Sequence, residues 1–129
     1  EFTIMKITRF IIDATLHNLT IQFSANENIT SAQLSFEYLR ISSDTNSTKK
    51  NKAGQIQVTS HKKNVLLNSI ESVAKHGYRL IFNDGHSEIF SEEYLQILAL
   101  EYETRWQHYL RILKDSDHSR EAMIDFKQL

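Results

Sequence analysis

A seven-residue motif occurs twice in this chain, and it constrains the fold more than any other feature of the sequence. Residues 35–41 read SFEYLRI and residues 91–97 read SEEYLQI, so five of the seven positions are identical. In each copy a serine, which is a favoured N-cap residue, precedes a helical stretch with glutamate in its first turn. Each copy also follows a strand-like segment that ends in phenylalanine, Phe23 or Phe82. The sequence therefore predicts two copies of a strand–turn–strand–helix unit.

The segments ahead of the two motifs have strand patterns. Residues 6–13 are β-rich, and Leu19, Ile21 and Phe23 alternate with polar residues, which indicates a strand with one buried face. We expect further strands at 65–73 and 78–82, and short strands at 29–33 and 89–90. Asn, Asp and Gly at 83–85 predict a tight turn, because these residues tolerate positive φ. Together these patterns predict an α+β fold, in which the two duplicated units share one twisted, mainly antiparallel sheet.

The C-terminal part predicts helices. Apolar residues recur at spacings of three and four from Leu95 to Leu113, which predicts one long helix that ends near 115–117. Residues 119–129 could form a further helix. The stripe includes Tyr102, Trp106 and Tyr109, and we expect Trp106 to be largely buried. These aromatic residues are interpreted first as core and second as an interface.

Length and composition set the remaining limits on organisation. The 129 residues predict a single domain over 1–129, in which residues 1–4, ahead of Met5, are interpreted as a vector remnant. Residues 43–64 are long, polar and lysine-rich, and we expect them to form a mobile loop. A net charge of -1 selects no polyanionic partner. The loop lysines have no interleaved aromatic residues, so nucleic-acid binding is the weaker interpretation of this segment.

Several classes of site are excluded by what the sequence lacks. With no cysteine there is no disulfide, thiolate zinc site, iron–sulfur cluster or cysteine nucleophile. No apolar run approaches the roughly 18–20 residues that cross a bilayer, and Lys6, Arg9 and Asp13 interrupt any signal-peptide pattern. We therefore expect a cytoplasmic protein that has no membrane partner. Glycine-rich phosphate loops, serine-nucleophile motifs and metal-binding histidine spacings are also lacking.

The second motif lies within a longer stretch that carries a family resemblance. Residues 78–95, YRLIFNDGHSEIFSEEYL, resemble the signature of the γ-butyrobetaine hydroxylase-like N-terminal domain family, which small bacterial proteins carry alone as a domain of unknown function. The stretches FEYLR at 36–40 and WQHYLRIL at 106–113, followed by Ser119-Arg120, are similar to further family motifs. The resemblance spans about residues 16–120 and implies an α+β domain with a twisted sheet and helices at its end.

The resemblance also shows a departure at the zinc site. In hydroxylases with this domain, a Cys-x-Cys-x-x-Cys run two residues beyond Leu-Arg joins the Asp-Gly-His histidine around zinc. Here the three cysteine positions are Ser43, Thr45 and Thr48, so that His86 is the single remaining ligand. One imidazole cannot hold a structural zinc, and we expect no metal and no other cofactor. The family's oxygenase chemistry resides in a separate domain, and no facial triad occurs in this sequence.

We predict a non-catalytic interaction or accessory module, with another protein as its partner and no catalytic residue assigned. The first alternative is small-ligand binding or catalysis in a cleft near Asp84 and His86, and the second is nucleic-acid binding by the basic loop. The candidate functional cluster comprises Arg40, Asp84, His86 and Tyr94. Asp84 and His86 are more simply interpreted as turn-forming residues than as acid–base groups. The sequence leaves the oligomeric state open.

Overall fold

The two sequence repeats correspond to two structural units, each a run of three strands followed by a helix. The computed structural model describes residues 5–26, 28–43 and 62–115. The first unit comprises β1 (Lys6–Asp13), β2 (Asn18–Ala25), β3 (Asn28–Ser35) and α1 (Phe36–Ser42). The second comprises β4 (Leu67–Val73), a 3₁₀ turn (Ala74–His76), β5 (Gly77–Phe82), β6 (Ser87–Phe90) and α2 (Glu92–Leu100), and α3 (Tyr102–Asp115) follows it. The predicted α+β class is confirmed.

The strands β1 to β6 of the described residues form two separate antiparallel sheets, whereas the sequence predicted one shared sheet. Their orders are β1-β2-β3 and β4-β5-β6, so β2 and β5 are the central strands. The pairing of β1 with β2 is irregular between Ile7 and Arg9, and that of β4 with β5 between Leu67 and Ser69. Such irregularities bend and twist a strand locally. They lie in the first strand of each unit, and both of these strands are at an edge of their sheet.

The buried core lies on one face of each central strand. Leu19, Ile21 and Phe23 are buried in β2, and Leu80 and Phe82 are buried in β5. This alternation is the one that the sequence predicted for a half-buried strand. The other buried members of the core are Leu34, Phe36, Tyr38, Leu39, Val65, Leu67, Phe90, Leu95 and Leu98. The core therefore includes residues from both units and from the helix that follows each of them.

The two motifs start their helices in the same way. The Ser35 hydroxyl accepts a hydrogen bond from the Tyr38 backbone N–H at 3.1 Å. The Ser91 hydroxyl accepts the equivalent bond from Tyr94 at 3.0 Å. Each bond satisfies one of the backbone donors that a helix leaves free at its N-terminus. Both predicted N-caps are confirmed.

The long C-terminal helix of the sequence prediction is two helices, α2 and α3, which are separated at Glu101. The backbone there leaves the helical region, with φ −104° and ψ 19°. The Tyr38 hydroxyl donates to the Leu98 carbonyl at 2.7 Å, the acceptor that a continuous helix would offer to the Tyr102 N–H. A contact from α1 therefore accompanies a break that the apolar spacing of α2 and α3 does not reveal.

Two glycines are required by the turns of the second unit. Gly77 has φ +118°, and a Cβ there would lie 2.2 Å from the Phe90 carbonyl oxygen. Gly85 has φ +86° and follows Asn83 and Asp84 in the turn between β5 and β6. The tight turn predicted at 83–85 is confirmed. Within the described ranges, no helix has the length and apolar character that crossing a membrane requires.

Candidate functional site

Three of the four candidate cluster residues meet where the β5–β6 turn approaches the end of α1. The Arg40 Nε donates to Asp84 Oδ2 at 2.8 Å, and the Lys62 Nζ donates to the same oxygen at 2.9 Å. The His86 backbone N–H donates to Asp84 Oδ1 at 3.2 Å. We call this group, together with Ser43, the Asp84 corner. It joins three segments of the chain through one carboxylate.

The surroundings of Asp84 stabilise its ionised form. Burial by itself raises the pKa of this carboxyl, but the hydrogen bonds from Lys62, Arg40 and the His86 backbone outweigh that effect. The resulting pKa is about 2, against an ordinary value of 3.8. At neutral pH the group is a carboxylate bound by two cations, so it is a weak proton acceptor. This arrangement favours a structural role for Asp84.

Ser43 occupies the first position at which the resemblance expects a zinc thiolate. Its side chain is fully buried, and its hydroxyl donates to the Arg40 carbonyl at 2.7 Å. The Ser43 hydroxyl oxygen in turn accepts a hydrogen bond of 3.4 Å from the Arg40 guanidinium. The hydroxyl is thus held by its own helix end.

His86 takes part in the Asp84 corner through its backbone N–H rather than through its imidazole ring. The Nε2 atom is buried and has no hydrogen-bond partner among residues 5–26, 28–43 and 62–115. The ring lies 6.4 Å from the Phe82 ring, and the His86 carbonyl accepts from the Phe82 N–H at 2.9 Å. An orphaned imidazole nitrogen is a feature that a metal ligand would have.

The donor set of the corner nevertheless does not fit zinc. Beside His86 it offers a hydroxyl and one carboxylate, and that carboxylate already binds two cations. Zinc sites in proteins use four strong ligands, mainly thiolate and imidazole. Across residues 5–26, 28–43 and 62–115, no group of three or more His, Cys, Asp and Glu side chains converges as metal ligands do. The residues that the structure describes at this corner therefore do not fit the family's zinc site.

Tyr94, the fourth candidate, lies beside the corner. Its hydroxyl donates to the Ser42 carbonyl at 2.8 Å, one residue before Ser43. Its ring stacks on Phe90 with the centroids 5.7 Å apart. Burial raises the pKa of the Tyr94 phenol, which keeps it protonated at neutral pH as a hydrogen-bond donor. Tyr94 therefore ties α2 to the end of α1.

The candidate interface residues of α3 pack against α1. The Tyr102 ring meets the Tyr38 ring edge-on, with the centroids 4.8 Å apart. Trp106 stacks near Tyr102 at 6.4 Å, and the Tyr109 hydroxyl donates to the Glu37 carboxylate at 3.2 Å. Tyr109 is buried, whereas Trp106 and Tyr102 are partly buried and pack against the core. Their use as an interface stays a prediction.

The loop and terminal predictions fall mostly outside the described residues. Residues 44–61, which hold most of the expected mobile loop, and residues 116–129, which hold the expected last helix, are outside these ranges, as are residues 1–4. Of the loop lysines, Lys62 and Lys63 lie within the described residues, and Lys62 pairs with Asp84. Nucleic-acid binding by the loop stays an untested alternative.

Sequence reasoning missed a groove between the two sheets. A cavity of about 560 Å³ lies between β1 and β4, the first strands of the two units. We call it the edge groove, and its main side chains are those of Ile7, Arg9, Phe10, Ile12, Ile70 and Tyr78. A signal for it existed in the sequence, because the consecutive apolar residues 10–12 break the alternation expected of a strand with one buried face.

Comparison with known proteins agrees with the fold. A model of the family described as "Gamma-butyrobetaine hydroxylase-like, N-terminal" matches residues 12–96. A protein with an NMR solution structure is 31% identical, with a TM-score of 0.74 and coverage of 95% of this chain and 90% of that one. A second NMR solution structure is 27% identical, with a TM-score of 0.65 and coverage of 92% and 94%.

A more distant crystal structure shows the fold alone. It is that of a protein of unknown function from Acidithiobacillus ferrooxidans, a member of the DUF971 family. That protein is 22% identical, with a TM-score of 0.57 and coverage of 72% of this chain and 91% of its own. No curated protein matches the chain.

Proposed function

We propose that this chain, which belongs to the gamma-butyrobetaine hydroxylase-like N-terminal domain family, acts as a cytoplasmic, non-catalytic interaction module whose partner is another protein. The observation that carries the proposal is the apolar exposure of β1. Ile11 and Ile12 are 39% and 38% exposed, and consecutive residues of a strand point to opposite faces. Both faces of this edge strand therefore present isoleucine to solvent, and one of these residues lines the edge groove.

The state of the Asp84 corner supports this choice over catalysis. The Asp84 carboxylate accepts from Arg40, Lys62 and the His86 backbone, and the Tyr94 hydroxyl donates to a backbone carbonyl. These groups link α1, the β5–β6 turn and α2 to one another. Groups used in this way hold the fold together, which leaves the edge groove as the better candidate for contact with a partner.

The test compares partner capture by two isoleucine variants. Ile12→Arg places a charge in the edge groove, and Ile29→Arg places the same charge on β3 at a residue that is 70% exposed. We expect the wild-type chain and Ile29→Arg to retain the same host protein, and Ile12→Arg to lose it. Circular dichroism melts establish that both variants fold.

Two results would contradict the proposal. One is that Ile12→Arg retains the same proteins as wild type, which would remove the edge groove from the interaction. The other is that a purified fraction turns over or tightly binds a metabolite, with loss of that activity in Asp84→Asn. The second result would favour the ligand-binding or enzymatic alternative near Asp84 and His86.

A further inference from the structure

We infer that the edge groove binds an extended segment of a partner protein, which adds to β1 as a fourth strand and places a carboxylate beside Arg9. This inference rests on the proposed function and specifies how the partner is recognised. Its support comes from the backbone edge of β1, the side chains that line the groove and their charge.

The outer edge of β1 is covered at its beginning and open beyond it. The Ile7 N–H donates to the Glu92 carboxylate at 3.0 Å, and the Met5 N–H donates to the Gln96 side-chain oxygen at 3.3 Å. Two polar side chains of α2 thus satisfy backbone donors that β2 does not reach. The backbone N–H groups at this edge therefore donate to side-chain oxygen atoms, including those of a carboxylate.

Further along the strand the edge has no such partners. From Arg9 to Asp13 the register with β2 is regular, so alternate residues direct their N–H and C=O groups away from β2. Within the described part of the chain, neither a strand nor a side chain hydrogen-bonds to these outward groups. An open row of backbone donors and acceptors is the template to which another strand adds.

The opposite wall of the groove is also a strand edge. β4 is the edge strand of the second sheet, and Ser69 and Ser72 face the cavity from it. An occupant between β1 and β4 is therefore flanked by hydrogen-bonding groups on both sides. A backbone in extended conformation supplies matching groups along its whole length, which favours a peptide segment over a compact ligand.

The lining side chains define what the segment carries. Phe10 and Tyr78 pack edge to face with their centroids 4.8 Å apart, and both pack against the core. Together with Ile12 and Ile70 they offer an apolar surface to the alternate side chains of a strand. Arg9 is the charged residue among those that line the cavity, and it forms no ion pair within the described ranges. An aspartate or glutamate in the segment would complement it.

Charge also argues against a second copy of this chain as the occupant. β1 carries Lys6 and Arg9 against a single carboxylate, Asp13. A second β1 would bring Lys6 and Arg9 of its own with the single carboxylate of Asp13, and none of the residues that line the cavity is acidic. A second copy would therefore offer Arg9 little negative charge. A partner segment with acidic character fits this edge better.

The probe is a phage-displayed library of random octapeptides, selected on the wild-type chain and counter-selected on Ile12→Arg. Counter-selection on Ser72→Trp, which fills the cavity from the other wall, serves the same purpose if Ile12→Arg does not fold. We expect enriched peptides to combine alternating β-branched or aromatic residues with aspartate or glutamate. Methylation of alternate backbone nitrogens in such a peptide should weaken binding by at least tenfold.

Charge reversal tests the role of Arg9. Arg9→Glu should weaken an enriched acidic peptide by at least tenfold and should switch selection toward lysine and arginine. Arg111→Glu, an exposed cation on α3, is the matched control and should leave affinity within twofold. Amide exchange should be fast at outward-facing residues between Arg9 and Ile12 in the free chain and slow in the complex.

Three results would overturn the inference. The first is that the selection yields no peptide whose binding depends on the groove. The second is that the enriched peptides still bind after methylation of their backbone and after Arg9→Glu. The third is that amide exchange along this edge is already slow in the free chain. If host-protein capture still depends on Ile12 in those cases, the proposed function stands and only the strand-addition mode fails. If that capture is also independent of Ile12, the proposed function fails with it.

Discussion

Replacing Asp84 with asparagine tests whether the Asp84 corner stabilises the fold by charge. The Asp84→Asn side chain would keep an oxygen for the His86 N–H but would remove the carboxylate that binds Arg40 and Lys62. The side chains of Arg40, Asp84 and Lys62 are 9%, 23% and 26% exposed. The change would thus take a counter-ion away from a nearly buried guanidinium, and such a loss is destabilising.

The magnitude follows from the lowered pKa of Asp84. A fall from 3.8 to about 2, at about 1.4 kcal/mol per pKa unit, corresponds to about 2–3 kcal/mol at neutral pH. Solvent reaches part of the pair and screens it, so we expect Asp84→Asn to lower the free energy of unfolding by about 1–2 kcal/mol. The group's pKa is lower in the folded state, so its contribution is full above pH 3.8 and is lost as the pH falls through about 2.

Urea unfolding measures this effect, with fluorescence of the single tryptophan, Trp106, as the signal. The difference between wild type and Asp84→Asn should be largest near pH 7 and about half as large at pH 3. Glu71→Gln is the matched control, because Glu71 forms an exposed ion pair with Arg79 at 3.2 Å. It should cost less than about 0.5 kcal/mol. Equal effects of the two variants, or a difference that does not change with pH, would refute the reasoning.

The remaining predictions concern metal content, backbone geometry and α3 packing. Elemental analysis of the purified protein should find no stoichiometric zinc, and a chelator should leave its melting temperature unchanged; one zinc per chain with a chelator-sensitive melt would contradict this. Gly77→Ala should destabilise the protein by more than about 3 kcal/mol, because the added Cβ would lie 2.2 Å from the Phe90 carbonyl oxygen. Gly85→Ala should cost about 1 kcal/mol, because an added Cβ there would have no atom within 4 Å and only the positive φ would be unfavourable. The reverse order in chemical denaturation would show that this interpretation of the turns is wrong. Trp106→Ala should cost about 2 kcal/mol by circular dichroism, less than the roughly 3–5 kcal/mol of a fully buried tryptophan, because Trp106 is partly buried against Tyr38. A cost below about 0.5 kcal/mol would place it outside the packing.

Local features of the chain were readable from the sequence. Ser35 and Ser91 start helices because a serine hydroxyl can accept a hydrogen bond from a free backbone N–H that lies three residues further along the chain. This contact is local, so the sequence reveals it. The buried face of β2 follows from its alternation, and the turn at 83–85 follows from residues that accept its backbone angles. The family could also be recognised, because its motifs are short runs of consecutive residues. The sequence identified all four residues of the candidate cluster, but not which of their atoms meet; these are Arg40, Asp84, His86 and Tyr94.

Contacts between distant residues decided the rest. The break between α2 and α3 accompanies a hydrogen bond between Tyr38 and Leu98, 60 positions apart. The strands divide into two sheets according to which strands hydrogen-bond to each other, and the partial cover of β1 comes from Glu92, 85 positions from Ile7. The apolar spacing of α2 and α3 is the same whether or not a remote hydroxyl reaches the Leu98 carbonyl. A periodic pattern records which face of an element is buried, but only the tertiary structure determines which remote group that face meets.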